Sequence, residues 1–91
     1  NKLIKIKIVE GNKDIFILNK KIEIKGKVGD ELSIIPVSAE LEGITTEGLE
    51  YQLNNEKLML GSTRGISNIL NKTLVKIKVK EGIALIVLLR K

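Results

Sequence analysis

The run Leu74-Val75-Lys76-Ile77-Lys78-Val79-Lys80, followed by Glu81-Gly82 and then by Ile83-Ala84-Leu85-Ile86-Val87-Leu88-Leu89, decides the fold class. In its first half apolar and basic residues alternate at period 2, so an extended chain puts the lysines on one face and the aliphatic residues on the other. A helix would scatter the same lysines around its circumference. The second half has no polar alternation, which predicts a central strand with both faces covered. Glu81-Gly82 between them predicts a two-residue hairpin with Lys80 facing Ile83, because glycine takes a positive φ at no steric cost.

Working outward, Leu3 to Ile8 repeats the alternation, and Asp14 to Leu18, Lys21 to Lys25, Glu31 to Val37, Gly43 to Leu53 and Lys57 to Leu60 continue the series. Gly11-Asn12, Gly26, Gly29-Asp30, Asn54-Asn55 and Gly61 punctuate it, with Asn54-Asn55 read as a second hairpin turn. No window of ten or more residues keeps the spacing of an amphipathic helix, so at most a helical turn near Ser67 to Leu70 is expected. Short strands with turn residues at intervals of roughly ten predict an all-β fold, a β-sandwich of short antiparallel strands with little helix.

Composition narrows the chemistry. With 91 residues the chain makes one domain, 1-91, and it contains no cysteine and no histidine. Disulfide frameworks, thiolate zinc sites and Ser-His-Asp or Cys-His catalysis are therefore excluded. The longest apolar run, Ile83 to Leu89, is far short of the roughly 20 residues a membrane-spanning helix needs, and no cleavable signal is visible. These features predict a cytoplasmic protein with no membrane partner. The first residue is Asn rather than Met, which suggests a piece of a longer chain. Asp14 and Asp30, the two aspartates, sit beside predicted turns and read as turn residues, and no phosphate-binding Gly-x-x-x-x-Gly-Lys-Ser/Thr loop is present.

Fourteen lysines and two arginines give a net charge of +5. A small basic β-barrel that binds nucleic acid is the alternative this charge allows, but single-strand binders stack bases on aromatic rings, and the chain has only Phe16 and Tyr51. Lysines alternating with isoleucine also suit a solvated strand face, and the expectation is no nucleic-acid partner.

Between Gly43 and Leu70 the sequence changes character. Gly43-Ile44-Thr45-Thr46-Glu47-Gly48-Leu49-Glu50-Tyr51 is followed, after a short strand, by Gly61-Ser62-Thr63-Arg64-Gly65-Ile66-Ser67-Asn68. The second piece, dense in glycine, hydroxyl and amide groups, cannot be a plain strand; it is either a long turn or a recognition loop offering polar groups to a heterocycle. The two motifs together resemble the C-terminal, vitamin B1-binding domain of bacterial thiamin pyrophosphokinases. Val28 to Val37 looks like the strand that precedes them in that family, and Lys80 to Ile83 like its closing hairpin, so the resemblance spans about Asn19 to Leu88.

The resemblance implies a β-sandwich that follows a larger α/β catalytic domain. The complete enzymes transfer a pyrophosphoryl group from ATP to thiamin and work as homodimers. Thiamin lies between the catalytic domain of one subunit and the sandwich of the other. It further implies that Mg and ATP belong to the N-terminal domain, absent here, and that this domain itself carries no cofactor. Ser67 and Asn68 correspond to the pair at the aminopyrimidine, with the Asn68 amide accepting from the exocyclic amine and donating to a ring nitrogen. Gly65 is expected to supply an unusual backbone angle or a close approach of the ligand, with Ile66 packing inward. Arg64 is expected to face a phosphate or a carboxylate across the dimer, and Glu47 to offset the thiazolium charge. Thr45, Thr46 and Glu47 must alternate faces along a strand, so not all of them can reach one site.

Overall fold

A computed structural model of the chain describes residues 7 to 91, so most of the predicted strand Leu3 to Ile8 lies outside the described residues. Nine strands form in chain order: β1 (Lys7–Glu10), β2 (Lys13–Leu18), β3 (Lys21–Lys25), β4 (Glu31–Pro36), β5 (Glu40–Glu47), β6 (Glu56–Met59), β7 (Asn68–Ile69), β8 (Leu74–Lys78) and β9 (Ala84–Leu89). They make two antiparallel sheets, one of five strands in the order β1-β2-β9-β4-β7 and one of four in the order β3-β8-β5-β6. The fold is a β-sandwich, as the alternation predicts. No helix forms among the described residues; where a helical turn was expected, Asn68 and Ile69 form the edge strand β7.

The inward faces interlock through Ile22, Ile24, Val75 and Ile77 from one sheet and Leu32, Ile34, Ile86 and Leu88 from the other, all buried. Each such side chain contributes roughly 1.5 to 3 kcal/mol by leaving water. β9 is a central strand, flanked by β2 and β4. Its coverage is uneven, however: Ala84, Ile86 and Leu88 are buried, whereas Leu85, Val87 and Leu89 are only half-buried on the outer face.

Both predicted hairpins are corrected. β8 and β9 lie in different sheets, so Glu81-Gly82 turns a corner between layers and Lys80 does not face Ile83. The corner is held by Glu42 and Glu81, whose backbones bond to each other, while the Ile83 carbonyl accepts from Val37 N–H at 2.9 Å. Gly82 does adopt a φ of 111°, and a Cβ there would stand 2.5 Å from the Glu40 carbonyl oxygen. The glycine signal is real, but it serves a crossover instead of a hairpin. Likewise Asn55 has a φ of 53°, yet Leu53 and Glu56 both pair with β5 rather than with each other: Thr46 N–H donates to Leu53 O, and Glu56 stands opposite Ile44. The expected long strand Gly43 to Leu53 therefore stops at Glu47, and residues 48 to 51 cross over to run beside β7, with Leu49 bridged to Leu70 and Glu50 N–H donating to Ile69 O at 2.8 Å.

The aspartates are more than turn residues. Asp14 lies within β2, buried, and accepts from Arg90 Nη1 at 2.7 Å. Asp30 closes the 27-to-30 turn by accepting from Lys27 N–H at 2.9 Å, and its other oxygen accepts from Lys91 N–H at 3.1 Å. These backbone donors, Lys27 first and then Lys91, hold the Asp30 carboxyl below its ordinary pKa; burial opposes them, and the charges of Lys27 and Arg90 reinforce them. The chain end at Arg90 and Lys91 is thus fastened by both aspartates.

Candidate functional site

The loop leading from β6 to β7 is built onto the free edge of β4. Gly65 O accepts from Ile34 N–H at 2.8 Å, and a Cβ on Gly65 would stand 2.8 Å from the Ile34 carbonyl oxygen. Gly65 has no positive φ, and the close approach it permits is to the backbone of β4. Ile66 is 40% exposed, against the expectation that it packs inward. Ser67 follows in the left-handed region with a φ of 58°. Its N–H donates to Ser33 Oγ at 3.0 Å, and its hydroxyl donates to Glu31 Oε2 at 3.1 Å. Glu31 also meets Lys91 Nζ at 3.4 Å. An L-residue costs about 1 kcal/mol or more in this conformation, and such outliers persist where surrounding bonds over-determine them.

Asn68 points the other way. It is 2% exposed; Oδ1 accepts from Tyr51 N–H at 3.0 Å and from Ile69 N–H at 2.9 Å, and Nδ2 donates to Tyr51 O at 2.6 Å. Both lone pairs of the amide oxygen are thus engaged by backbone, leaving none for an exocyclic amine. The expected reading of the pyrimidine by this amide is not what the geometry favours: Asn68 instead pins the segment 49 to 51 against β7. Tyr51, held in this way, is 64% exposed. Of the two aromatic residues, Phe16 and Tyr51, it is the exposed one.

The remaining two expected residues stand apart from Ser67. Arg64 Nη1 donates to Glu56 Oε1 at 2.6 Å, so its carboxylate partner is in the same chain, and the pair is exposed enough to contribute only about 0 to 1 kcal/mol. Glu47 lies opposite Lys76 on the outer face of the four-stranded sheet, where it lines a shallow hollow of about 170 Å³ with Lys21, Glu23, Thr45, Lys76 and Lys78. The alternation along β5 holds as expected: Thr46 is buried, with its Oγ1 accepting from Leu53 N–H, while Thr45 and Glu47 face outward.

Ser67, Ser33 and Glu31 border an apolar surface. Register places Ile15 opposite Val87, Ile17 and Ile35 opposite Leu85, and Ser33 opposite Val87, all on the outer face of the five-stranded sheet. Ile15, Ile17, Ile35, Leu85, Val87 and Leu89 are half-buried there, and Val37 and Ile83 extend the patch with 52% and 43% exposure.

The model of the family described as thiamin pyrophosphokinase, vitamin B1 binding domain, matches residues 19–84. The chain belongs to this family. Among solved structures it is similar to the thiamine pyrophosphokinase of Bacillus subtilis, with a TM-score of 0.86 and 28% identity over 97% of this chain and 42% of that one. It is similar also to the thiamin pyrophosphokinase of Geobacillus thermodenitrificans, with a TM-score of 0.82 and 25% identity over 93% and 40% of the two chains. The Candida albicans thiamin pyrophosphokinase, at 16% identity over 96% of this chain and 33% of that one, shares the fold with a TM-score of 0.76. No curated protein sequence matches. This B1-binding-family chain thus spans less than half the length of the pyrophosphokinases it resembles. Among its described residues no helix is long and apolar enough to cross a membrane.

Proposed function

We propose that the chain is the thiamin-binding and dimer-forming domain of a cytoplasmic thiamin pyrophosphokinase, the enzyme that converts ATP and thiamin to AMP and thiamin diphosphate. The family match over 19–84 carries this reading, and the polar groups around Ser67 support a site at that rim. In this reading Tyr51 offers a ring face to the aminopyrimidine, and the Ser67 hydroxyl hydrogen-bonds its edge. Glu31 and Glu50 offset the thiazolium cation. Asn68 acts as a positioning residue, through Tyr51. Gly65 contributes by letting the loop lie on β4, while Arg64, paired with Glu56, and Glu47, on the outer face of the four-stranded sheet, act toward the catalytic domain.

Mg and ATP belong to that N-terminal α/β domain. The isolated domain is expected to bind thiamin weakly and to have no transferase activity, because it covers only part of the ligand. The apolar outer face of the five-stranded sheet is the surface we assign to a second copy of the chain. It adjoins Ser67, so pairing there brings a second subunit to the edge of the ligand rim. Thiamin titration followed at the Ser67 and Tyr51 amides tests the site. Sedimentation of the wild type against Val87→Lys tests the face, with a monomer expected for the variant.

A further inference from the structure

A second polar surface owes nothing to the thiamin reading. On the outer face of the four-stranded sheet, register sets out two neighbouring rows across β3, β8 and β5. One row is Glu23, Lys76, Glu47 and alternates in charge; the other is Lys21, Lys78, Thr45 and holds two cations side by side with no carboxylate. Directly opposed like charges are destabilising in a sheet, so the second row is a local excess of positive charge that the first row lacks. Among the described residues the ion pairs are Lys57 with Glu40, Arg64 with Glu56, Arg90 with Asp14 and Lys91 with Glu31; Lys21, Lys78 and Lys80 take part in none.

Thr45 completes the row. Its Oγ1 already accepts from Asn55 N–H at 3.0 Å, which leaves the hydroxyl proton to donate outward. Thr45 and Lys78 line both the hollow of about 170 Å³ and an adjoining one formed with Gly43, Asn55 and Lys80. The Lys80 stem lies over Gly43, where a Cβ would come within 2.6 Å of Lys80 Cδ. Lys21, Lys78 and Thr45 therefore line one side of a shallow concavity whose other side is lined by Glu23, Lys76 and Glu47, with Lys80 in the adjoining one.

We infer that the Lys21–Lys78–Thr45 row binds a small, multiply charged phosphate anion. Lysine ammonium groups serve phosphate as point charges, and a free hydroxyl donor adds direction. A nucleic-acid strand is the less favoured occupant, since neither aromatic residue lies on this face and no base could stack.

The test titrates inorganic diphosphate into the chain at constant ionic strength, following amide NMR shifts. The inference predicts saturation, with shifts centred on Lys21, Thr45 and Lys78. Lys78→Gln and the charge-preserving Thr45→Val each weaken affinity, by about fivefold for the lysine, while Lys13→Gln, the same charge change on the other sheet, leaves it unaltered. Equal weakening by Lys13→Gln and Lys78→Gln, shifts spread over all lysines, or no saturation would overturn it. So would binding of a single-stranded oligonucleotide without binding of diphosphate.

Discussion

Asn68 and Tyr51 are joined by two hydrogen bonds running in opposite directions: the Asn68 amide oxygen accepts from Tyr51 N–H at 3.0 Å and its nitrogen donates to Tyr51 O at 2.6 Å. A side chain that satisfies both backbone groups of another residue fixes that residue in place. Removing it strands three backbone groups, because Ile69 N–H also loses its acceptor. Each unsatisfied buried group costs about 1 to 3 kcal/mol where water cannot replace the bond. Asn68→Ala should therefore lower stability by at least about 2 kcal/mol in urea unfolding. Asn68→Asp keeps both acceptor bonds and loses only the donor, and should fall between the two.

Ser67 gives the opposite pattern. Its φ of 58° suits glycine better than serine, whereas its hydroxyl bond to Glu31 is exposed. Ser67→Gly should leave stability within about 1 kcal/mol of the wild type, or raise it, while weakening thiamin binding. Thermal unfolding and ligand titration of the same variant separate the two effects.

Gly65 has no such freedom. A methyl group there would meet the Ile34 carbonyl oxygen at 2.8 Å, so Gly65→Ala must push the loop off β4. The expected loss is about 1 to 3 kcal/mol, with the Ile34 amide losing its protection from hydrogen exchange as Gly65 O moves away.

The period-2 pattern made the sandwich, the central place of β9 and the inward-facing core legible, because side-chain alternation is a local property of the strand. Gly82 and Asn55 were legible as backbone corners, but which strands a corner joins is set by packing between sheets, and no dipeptide encodes that. At the site, the grouping of Gly65, Ser67 and Asn68 in one loop was legible from their spacing. The direction of the Asn68 amide was not: its partner, Tyr51, is a backbone 17 residues away. The sheet to which Glu47 belongs was not legible for a related reason, since strand parity says that it faces outward without saying which of the two outer faces it occupies.

Asp30 sets an acid limit on stability. Its folded pKa lies below the ordinary value of 3.8, so its contribution is fully present above that value and is lost as pH falls through the folded pKa. Wild-type stability should decline below about pH 4, and Asp30→Asn should show a lower plateau at neutral pH with a shallower acid decline. Urea midpoints between pH 2 and pH 7 check both, and parallel slopes for the two proteins would remove Asp30 as a cause.

The central claim is that the rim formed by Ser67 and Tyr51 is one wall of a thiamin site. Titrating thiamin into the chain while recording amide NMR spectra measures this directly. The account predicts weak, saturable binding with shifts concentrated at Glu31, Ser33, Tyr51 and residues 65 to 69, reduced in Tyr51→Ala and Ser67→Gly. Saturable shifts confined to residues 54 to 56 or to the four-stranded sheet, or no response at millimolar thiamin, would contradict it.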